Sequence, residues 1–298
     1  MRVLVSLMAA SVLFSCGSPE PSEEQGGGSD KGLNVADEGT KPDDATSKTP
    51  KDPTSAPNPN SETPGDGSNR GPASGAQPTD LATAFELPAR SPSGALQTLW
   101  ATYYYTPRLY HVEGGFELLQ LDGRALGPRL SKAGWCKSAM EGSVQIYFQN
   151  AWRTYNYAGV AGTAQVDCSD YYDHPVGRTR YKVARGEFGD GVRNYILNPF
   201  RTIAVDPEVI PYGSVVYIPS ARGLEFTLPS GQNRIHDGYF FAADTGGLIN
   251  GNHIDVFLGI ETKTPFSWIT SNSRSRIPYE VVESAEIRNA LSRIHQLN

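Results

Sequence analysis

Three aspartates are candidates for acid–base chemistry, because each lies inside or at the end of an apolar, β-rich run. They are Asp206, Asp244 and Asp255. An ionised carboxylate among apolar side chains is costly unless a partner stabilises it. A Gly-rich turn joins Asp244 to Asp255, and its length suits either a hairpin or a psi-loop. Two carboxyls brought together in this way titrate apart, so that one is charged while the other keeps its proton and can act as an acid.

Six short runs of β-branched and aromatic residues must position these aspartates. Each run is bounded by Gly, Pro, Asp or Asn, which is typical of short strands. No long helical pattern separates the last five, so we predict a mainly β fold with a small, closed six-stranded barrel. The predicted strands are 102–106, 202–205, 214–218, 239–243, 254–257 and 279–282.

Two helices are expected beside these strands. Ser131 is a suitable N-cap for a helix over Lys132–Glu141, and Gly142 suits its end. A second, terminal helix is predicted over 284–296, packed on the barrel through one apolar face. That face carries Ile287, Leu291 and Ile294.

The N-terminus predicts export. Residues 1–16 contain Arg2 followed by an apolar run that is too short to span a bilayer permanently, as in a signal peptide. Residues 13–16, LFSC, resemble the lipobox of bacterial lipoproteins, which implies a lipid on Cys16. An ordinary signal peptide with a chance cysteine is the alternative. Gly17 gives no signal for retention in the inner membrane, so a Gram-negative source implies the periplasmic face of the outer membrane.

Residues 17–80 predict a disordered tether. They contain ten Pro, ten Gly and no aromatic residue, so they cannot bury enough apolar surface to fold. As a coil the segment spans on the order of 45 Å. It also holds 12 acidic and 5 basic residues, whereas 81–298 holds 20 of each. The predicted domain at 81–298 therefore lacks the net positive charge typical of nucleic-acid binders.

About 95 residues separate the first two predicted strands, and they predict an insertion lobe at about 108–200. Its fold cannot be traced from the weak periodicity. Cys136 and Cys168 fall inside it, and an even pair in an exported protein predicts a disulfide that contributes roughly 3 kcal/mol. A catalytic thiol is the weaker alternative, because no His lies in a recognisable partner motif.

Two spaced motifs run through the aspartate region, preceded by YYTP at 104–107. Residues 204–213 read AVDPEVIPYG, and residues 244–259 read DTGGLINGNHIDVFLG. This order resembles the 3D (Asp-Asp-Asp) domain and, through it, the family of membrane-bound lytic transglycosylase A (MltA). The family signature looks like A-x-D-x-x-x-I-P-x-G followed by D-x-G-G-x-I-x-G-x-x-x-D-x-[FY]-x-G. The resemblance implies a double-psi β-barrel, in agreement with the six predicted strands.

The resemblance also implies roles for individual residues. Asp255 matches the catalytic acid/base and Asp244 the acid that supports it, while no metal and no cofactor are implied. Other residues are expected to bind substrate or support the site. Asp206 is expected to support it by holding loops in place. These residues are Asp206, Thr102, Tyr104, Thr245, Gly246, Gly247, Asn250 and His253.

The implied activity is cleavage of peptidoglycan by a lytic transglycosylase. Asp255 would protonate the oxygen between N-acetylmuramic acid and N-acetylglucosamine, and would then deprotonate the muramyl 6-hydroxyl, giving a 1,6-anhydro sugar. Tyr104, Trp135 and Trp152 are expected to stack on sugar faces. The expected partners are glycan strands and, through the lipid, a membrane; the chain is expected to be a monomer.

Four other interpretations stay open. In the first, Asp255 is a structural carboxylate in a turn. In the second, a zinc ion is bound by His253, Asp255, His236 and Asp237. The third is an aspartic protease, which needs a second Asp-Thr-Gly besides the one at Asp244. The fourth is a non-catalytic, polysaccharide-binding lipoprotein built on the same barrel.

Overall fold

The computed structural model describes residues 77–91 and 96–297. The signal peptide, Cys16 and most of the predicted tether lie outside them. The helices are α1 (Pro78–Ala84), α2 (Lys132–Glu141) and α3 (Ala285–Ile294). The strands are β1 (Gln97–Tyr104), β2 (Arg108–Tyr110), β3 (Phe116–Leu119), β4 (Ala125–Leu130), β5 (Ser143–Phe148), β6 (Ala151–Val160), β7 (Thr179–Val183), β8 (Thr202–Val205), β9 (Val215–Tyr217), β10 (Glu225–Thr227), β11 (Asn233–Ile235), β12 (Tyr239–Asp244), β13 (His253–Phe257) and β14 (Ile277–Val282).

Six strands close into a barrel in the order β1-β13-β8-β12-β9-β14. They correspond to the six strands predicted from the sequence, so the prediction of a mainly β fold with a closed six-stranded barrel is confirmed. Strand β1 begins and ends earlier than the predicted 102–106. It begins earlier because Leu99 and Ala101 alternate into the barrel interior, and it ends at Tyr104 because the next N–H turns to another element.

Strands β8, β9 and β12 of the barrel are buried on both faces. Alternate side chains such as Val216, Phe240 and Ala242 fill the interior, whereas Val215 and Phe241 point outward and join the apolar cluster that includes residues of α1 and α3. This double burial explains why the strands read as continuous apolar runs instead of alternating patterns.

The terminal helix α3 follows its predicted pattern. Ser284 caps it by accepting from the Ile287 N–H, and Ala290 and Leu291 are buried. Helix α1 packs against α3 and begins at Pro78, within the last residues of the predicted tether. Pro at the first helical turn is favoured since its missing N–H costs nothing there. Helix α1 therefore begins three residues before the predicted domain boundary at residue 81.

A buried ion pair fastens the N-terminal segment to the barrel. Arg201, just before β8, donates to both carboxylate oxygens of Asp237, just before β12, at 2.6 and 2.7 Å. The same guanidinium donates to the Ala82 carbonyl and lies 3.8 Å from the ring centroid of Phe85. Asp237 also accepts from the Leu87 N–H. We call these five residues the clasp.

The chain between β1 and β8, residues 105–201, forms a second body that we call the lobe. Its sheet has the order β2-β5-β6-β7, and β3 pairs with β4 beside it. Helix α2 begins after the cap Ser131 and ends at Gly142, as the sequence predicts. Cys136 of α2 and Cys168 form a disulfide.

The lobe has its own apolar core, which corrects one expectation from the sequence. Trp135 is fully buried among Tyr155 and Tyr181, and its indole N–H donates to the Glu117 carbonyl. It cannot stack on a sugar, because the core surrounds it. Spacing alone does not distinguish a core tryptophan from an exposed one. Among the described residues, no helix combines the length and apolarity needed to cross a membrane.

Candidate active site

Asp255 lies on the outer face of the barrel. Its neighbours Ile254 and Val256 point into the interior, so Asp255 points outward, beside its register partner Thr102 on β1. The Thr102 Oγ1 atom is 2.7 Å from Asp255 Oδ1. Burial raises the pKa of Asp255 to about 7; the hydroxyl of Thr102 lowers it and the charge of Asp244 raises it. The residue as a whole keeps partial exposure.

Asp244 is the last residue of β12 and also keeps partial exposure. Its Oδ2 accepts from the Tyr104 hydroxyl at 2.6 Å. Burial raises the pKa of Asp244 to about 6, although the bonds from Tyr104 and the Thr245 N–H oppose that rise. Burial and the charge of Asp244 hold the pKa of Tyr104 well above its ordinary value, so Tyr104 remains the donor.

Strand β8 separates the two carboxyls. Ala204 pairs with Asp255 on one side and with Asp244 on the other. The hairpin alternative is therefore wrong, since β12 and β13 do not pair with each other. Paired residues of neighbouring strands share a face, so Thr102, Asp255, Ala204 and Asp244 form a row across four strands. We call it the carboxyl row, in which the small, buried Ala204 lies between the two carboxyls.

His253 contacts the carboxyl row through Thr102. Its Nε2 atom is 2.8 Å from Thr102 Oγ1, and its Nδ1 atom is 3.3 Å from the Leu248 carbonyl oxygen. The ring stacks on Trp100, with 3.6 Å between ring centroids. Burial lowers the pKa of His253, which keeps the imidazole neutral at physiological pH.

Asp206 holds two loops together through their backbone. Its Oδ1 accepts from the Glu208 N–H at 3.0 Å, and its Oδ2 accepts from the Gly251 N–H at 2.7 Å. These two bonds lower the pKa of Asp206, so its side chain is a charged carboxylate that connects the two loops.

The remaining predicted site residues lie on the loop between β12 and β13. The Thr245 hydroxyl donates to the Val205 carbonyl, and Gly247 and Asn250 are exposed to solvent. Among the described contacts, neither Thr245 nor Asn250 bonds a row carboxyl through its side chain. Gly246 approaches Ile249 closely, since a Cβ built there would lie 3.0 Å from it.

A third carboxyl, Glu141, comes from the lobe and was not predicted. It is the last residue of α2, and its Oε2 accepts from the Tyr105 N–H at 3.1 Å. Burial raises its pKa to about 7; the Tyr105 bond and Lys137 oppose this and the charge of Asp255 adds to it. A sequence signal did exist, because an anionic residue in the last turn of a helix opposes the helix dipole and calls for another reason to be there.

Strand β1 connects the three carboxyls. Thr102 contacts Asp255, Tyr104 contacts Asp244, and the N–H immediately after the strand, that of Tyr105, contacts Glu141. Within residues 77–91 and 96–297, no Lys or Arg forms an ion pair with any of the three. The arrangement therefore holds protons near neutral pH instead of balancing fixed charges.

The residues of the zinc alternative occupy separate networks. Asp237 belongs to the clasp, and His236 Nε2 is 2.9 Å from the Phe200 carbonyl oxygen. His253 contacts Thr102 and Leu248 through its two ring nitrogens. In the described part of the chain, no three His, Cys, Asp or Glu side chains are grouped to hold a metal ion.

The lobe presents an aromatic surface of three side chains. Tyr110, Tyr147 and Trp152 lie in register on β2, β5 and β6, with ring centroids 5.4 to 5.7 Å apart. Tyr110 is 66% exposed and Trp152 is 39% exposed. The Arg108 guanidinium lies 5.4 Å from the ring centroid of Trp152. We call these four residues the aromatic surface.

Known structures resemble this chain at low identity. MltA from Escherichia coli with bound chitohexaose is 16% identical, with a TM-score of 0.45, over 63% of this chain and 72% of that one. The membrane-bound lytic murein transglycosylase from Agrobacterium tumefaciens is 16% identical, with a TM-score of 0.42, over 74% of this chain and 83% of that one. The lytic transglycosylase LtgG of Burkholderia pseudomallei is 17% identical, with a TM-score of 0.32, over 61% and 70%.

Two sequence comparisons match part of this chain. The chain is 40% identical over 68 residues to a Bacillus subtilis protein described as "Putative cell wall shaping protein YabE". That match spans 23% of this chain and only 12% of the relative's length. The family model of the 3D domain matches residues 201–268. The matched segment includes Asp206, Asp244 and Asp255, and the chain therefore carries a 3D domain.

Proposed function

We propose that this chain is a peptidoglycan lytic transglycosylase. It cleaves the β-1,4 bond between N-acetylmuramic acid and N-acetylglucosamine and leaves a 1,6-anhydro end. The observation that carries the proposal is Asp255, a partly exposed residue whose carboxyl has its pKa raised to about 7 by burial. A general acid works best when its pKa lies near the working pH, because it is then both protonated and ready to give up the proton.

One carboxyl suffices for both proton transfers. Protonated Asp255 donates to the bridging oxygen while the bond from the anomeric carbon to that oxygen breaks, leaving an oxocarbenium-like centre. The Asp255 carboxylate then accepts the proton of the muramyl 6-hydroxyl, whose oxygen bonds to the anomeric carbon. Asp255 ends protonated as it began, and no water is consumed.

Asp244 supports this cycle through its charge. With a pKa of about 6, it is ionised before Asp255 as the pH rises. Its negative charge favours the proton on Asp255 and attracts the positive charge that develops at the anomeric carbon. The bond from Tyr104 fixes the orientation of the carboxylate.

Contacts to the glycan would come from exposed groups around the row. Thr245, Gly246, Gly247 and Asn250 form one wall on the loop after β12. The aromatic surface offers rings that suit the apolar faces of sugars. We further propose the double-psi topology for the barrel, an exported lipoprotein anchored at Cys16, and attachment at the periplasmic face of the outer membrane in a Gram-negative source.

The test is mass spectrometry of the products released from peptidoglycan sacculi by the full chain, beside Asp255→Asn. We expect muropeptides one water lighter than hydrolysis products. The variant should lose about 10³-fold in rate, the usual contribution of a general acid. Asp122→Asn, at an exposed lobe carboxyl, is the matched control and should leave the rate unchanged.

Two other outcomes contradict the proposal. Ordinary reducing ends mean a hydrolase in which a carboxyl activates water, and Asp244 then becomes the next residue to substitute. Retention of the protein on sacculi with no soluble product means the non-catalytic binding lipoprotein.

A further inference from the structure

The Thr102 hydroxyl lies between two polar atoms and can donate to only one of them. Its Oγ1 is 2.7 Å from Asp255 Oδ1 and 2.8 Å from His253 Nε2. A hydroxyl carries one proton and two lone pairs, so a donation in one direction requires acceptance from the other. The direction of the Thr102 bond is therefore linked to the protonation of both neighbours.

His253 determines which direction is favoured. Stacking on Trp100 fixes the plane of its ring, and Nδ1 faces the Leu248 carbonyl oxygen, which can only accept. The proton of the neutral imidazole therefore belongs on Nδ1. Its Nε2 atom then carries a lone pair that accepts from Thr102, and the Thr102 oxygen in turn accepts from Asp255.

This complete set of bonds requires a protonated Asp255. Ionisation of Asp255 turns the Thr102 proton towards the carboxylate, which leaves two lone pairs facing each other between Thr102 and His253. The imidazole can relieve that contact only by moving its proton to Nε2, and it then loses its bond to Leu248. Taking a second proton instead is opposed by the burial that lowers the pKa of His253.

We propose that Asp255, Thr102 and His253 form a proton-holding relay in which His253 is a positioning residue that keeps the acid protonated. The inference deepens the proposed function, since it rests on Asp255 as the acid. Three other titratable groups face Asp255: Asp244 from β12, Glu141 from α2 and Tyr104 from β1. The two carboxyls act through charge, whereas His253 acts through the direction of a hydrogen bond.

The first experiment uses the unmodified full chain, labelled with ¹⁵N at histidine. Nitrogen chemical shifts identify which ring nitrogen of His253 carries the proton, and signals are assigned by their absence from a His253→Phe sample. We expect the proton on Nδ1 at low pH and its transfer to Nε2 as Asp255 titrates. A proton on Nε2 at every pH, or a titration of His253 independent of Asp255, overturns the relay.

The second experiment compares opposite effects on Asp255, measured by the ¹³C shift of its carboxyl. His253→Phe keeps the stack on Trp100 and frees Thr102 to serve the carboxylate, so the Asp255 midpoint should fall by about one pH unit. Thr102→Val removes the only relay donor to the carboxylate, so the midpoint should rise instead. Thr102→Ser should restore the original value, and exposed His174→Phe should change nothing.

Shifts of the same sign in both variants, or no shift in either, contradict the relay. The pH profile of product formation gives the same comparison when the chain is active. Absence of anhydro products together with opposite carboxyl shifts would refute the proposed activity while leaving the relay in place. Anhydro products together with carboxyl shifts of the same sign would support the proposed activity and refute the relay.

Discussion

Strand β12 connects two aspartates in opposite environments. Asp237, two residues before the strand begins, is held by Arg201 through two bonds, and its pKa is lowered despite burial. Asp244, at the end of the strand, has only Tyr104 and the Thr245 N–H as donors, and burial raises its pKa to about 6.

The contrast separates stability from chemistry within one strand. A buried carboxylate with a matched cation stays charged and contributes to the folded state as long as both partners remain. A buried carboxyl without a cation keeps its proton until near neutral pH, which costs stability and supplies an acid. The clasp end of the barrel thus anchors the fold, and the row end is available for proton transfer.

The largest expected effect tests the clasp. Asp237→Asn leaves the Arg201 guanidinium buried without its counter-charge, and we expect a loss of about 3–5 kcal/mol in the free energy of unfolding. Asp244→Asn removes a carboxyl that no cation balances, so we expect a change of less than about 1 kcal/mol. Urea denaturation of both variants measures the difference, and equal losses would abolish the contrast between the two ends.

The pH dependence of stability should separate the same two aspartates. The folded pKa of Asp237 is lowered, so its contribution is present above the unfolded pKa and is lost as the pH falls through the folded value. The folded pKa values of Asp244 and Asp255, about 6 and about 7, are raised. Their contribution is present below the unfolded pKa and is lost as the pH rises to about 7.

Single variants show which aspartate causes each part of the pH dependence of stability. Asp244→Asn should flatten the decline on the neutral side and leave the acid side unchanged. Denaturation curves collected from pH 3 to pH 8 provide the measurement. Glu141, whose pKa burial also raises to about 7, contributes its own part of this decline. A decline of unchanged size in both Asp244→Asn and Asp255→Asn would mean that these two carboxyls ionise normally in the folded protein.

The smallest expected effect concerns Glu141, the carboxyl that the lobe contributes beside the carboxyl row. Glu141→Gln keeps an oxygen that can accept from the Tyr105 N–H but removes a negative charge that Asp255 senses. The Asp255 midpoint, and with it the alkaline limb of activity, should fall by about half a pH unit. Glu141→Asp should retain most of the original profile.

Glu117→Gln is the matched control for Glu141→Gln. Glu117 is another carboxyl of the lobe, but it pairs with Arg129 and takes no part in the row. Its profile should match the wild type. Loss of activity in Glu141→Gln at every pH, without movement of the limb, would indicate a purely structural role for Glu141.

Local signals in the sequence were sufficient for the barrel and for the ends of α2. The six strands are short apolar runs enclosed by turn residues, and Ser131 and Gly142 cap α2 as predicted. The spacing of Asp244 and Asp255 indicated that the two carboxyls are close in the fold. It did not indicate that β8 lies between them, because the hairpin and the separated arrangement have the same loop length.

Contacts between distant segments account for what the sequence did not predict. The strands of the lobe pair across irregular connections and have weak periodicity, so Trp135 looked as available as Trp152 until burial distinguished them. Glu141 lies 36 residues from Tyr105, and only the folded chain brings its carboxylate to that N–H. His253 was predicted as a site residue, but its relay depends on two distances that no spacing encodes.

The clasp also has a mechanical consequence. Tension applied to the chain before Pro78 reaches the barrel first through α1 and the bonds from Arg201 to the Ala82 carbonyl and from the Leu87 N–H to Asp237. Those bonds lie beside the starts of β8 and β12, and they must shear before the load passes to β1. Strand β1 carries Thr102 and Tyr104, so a pull on the N-terminal side leaves the alignment of the acid undisturbed until the clasp has yielded.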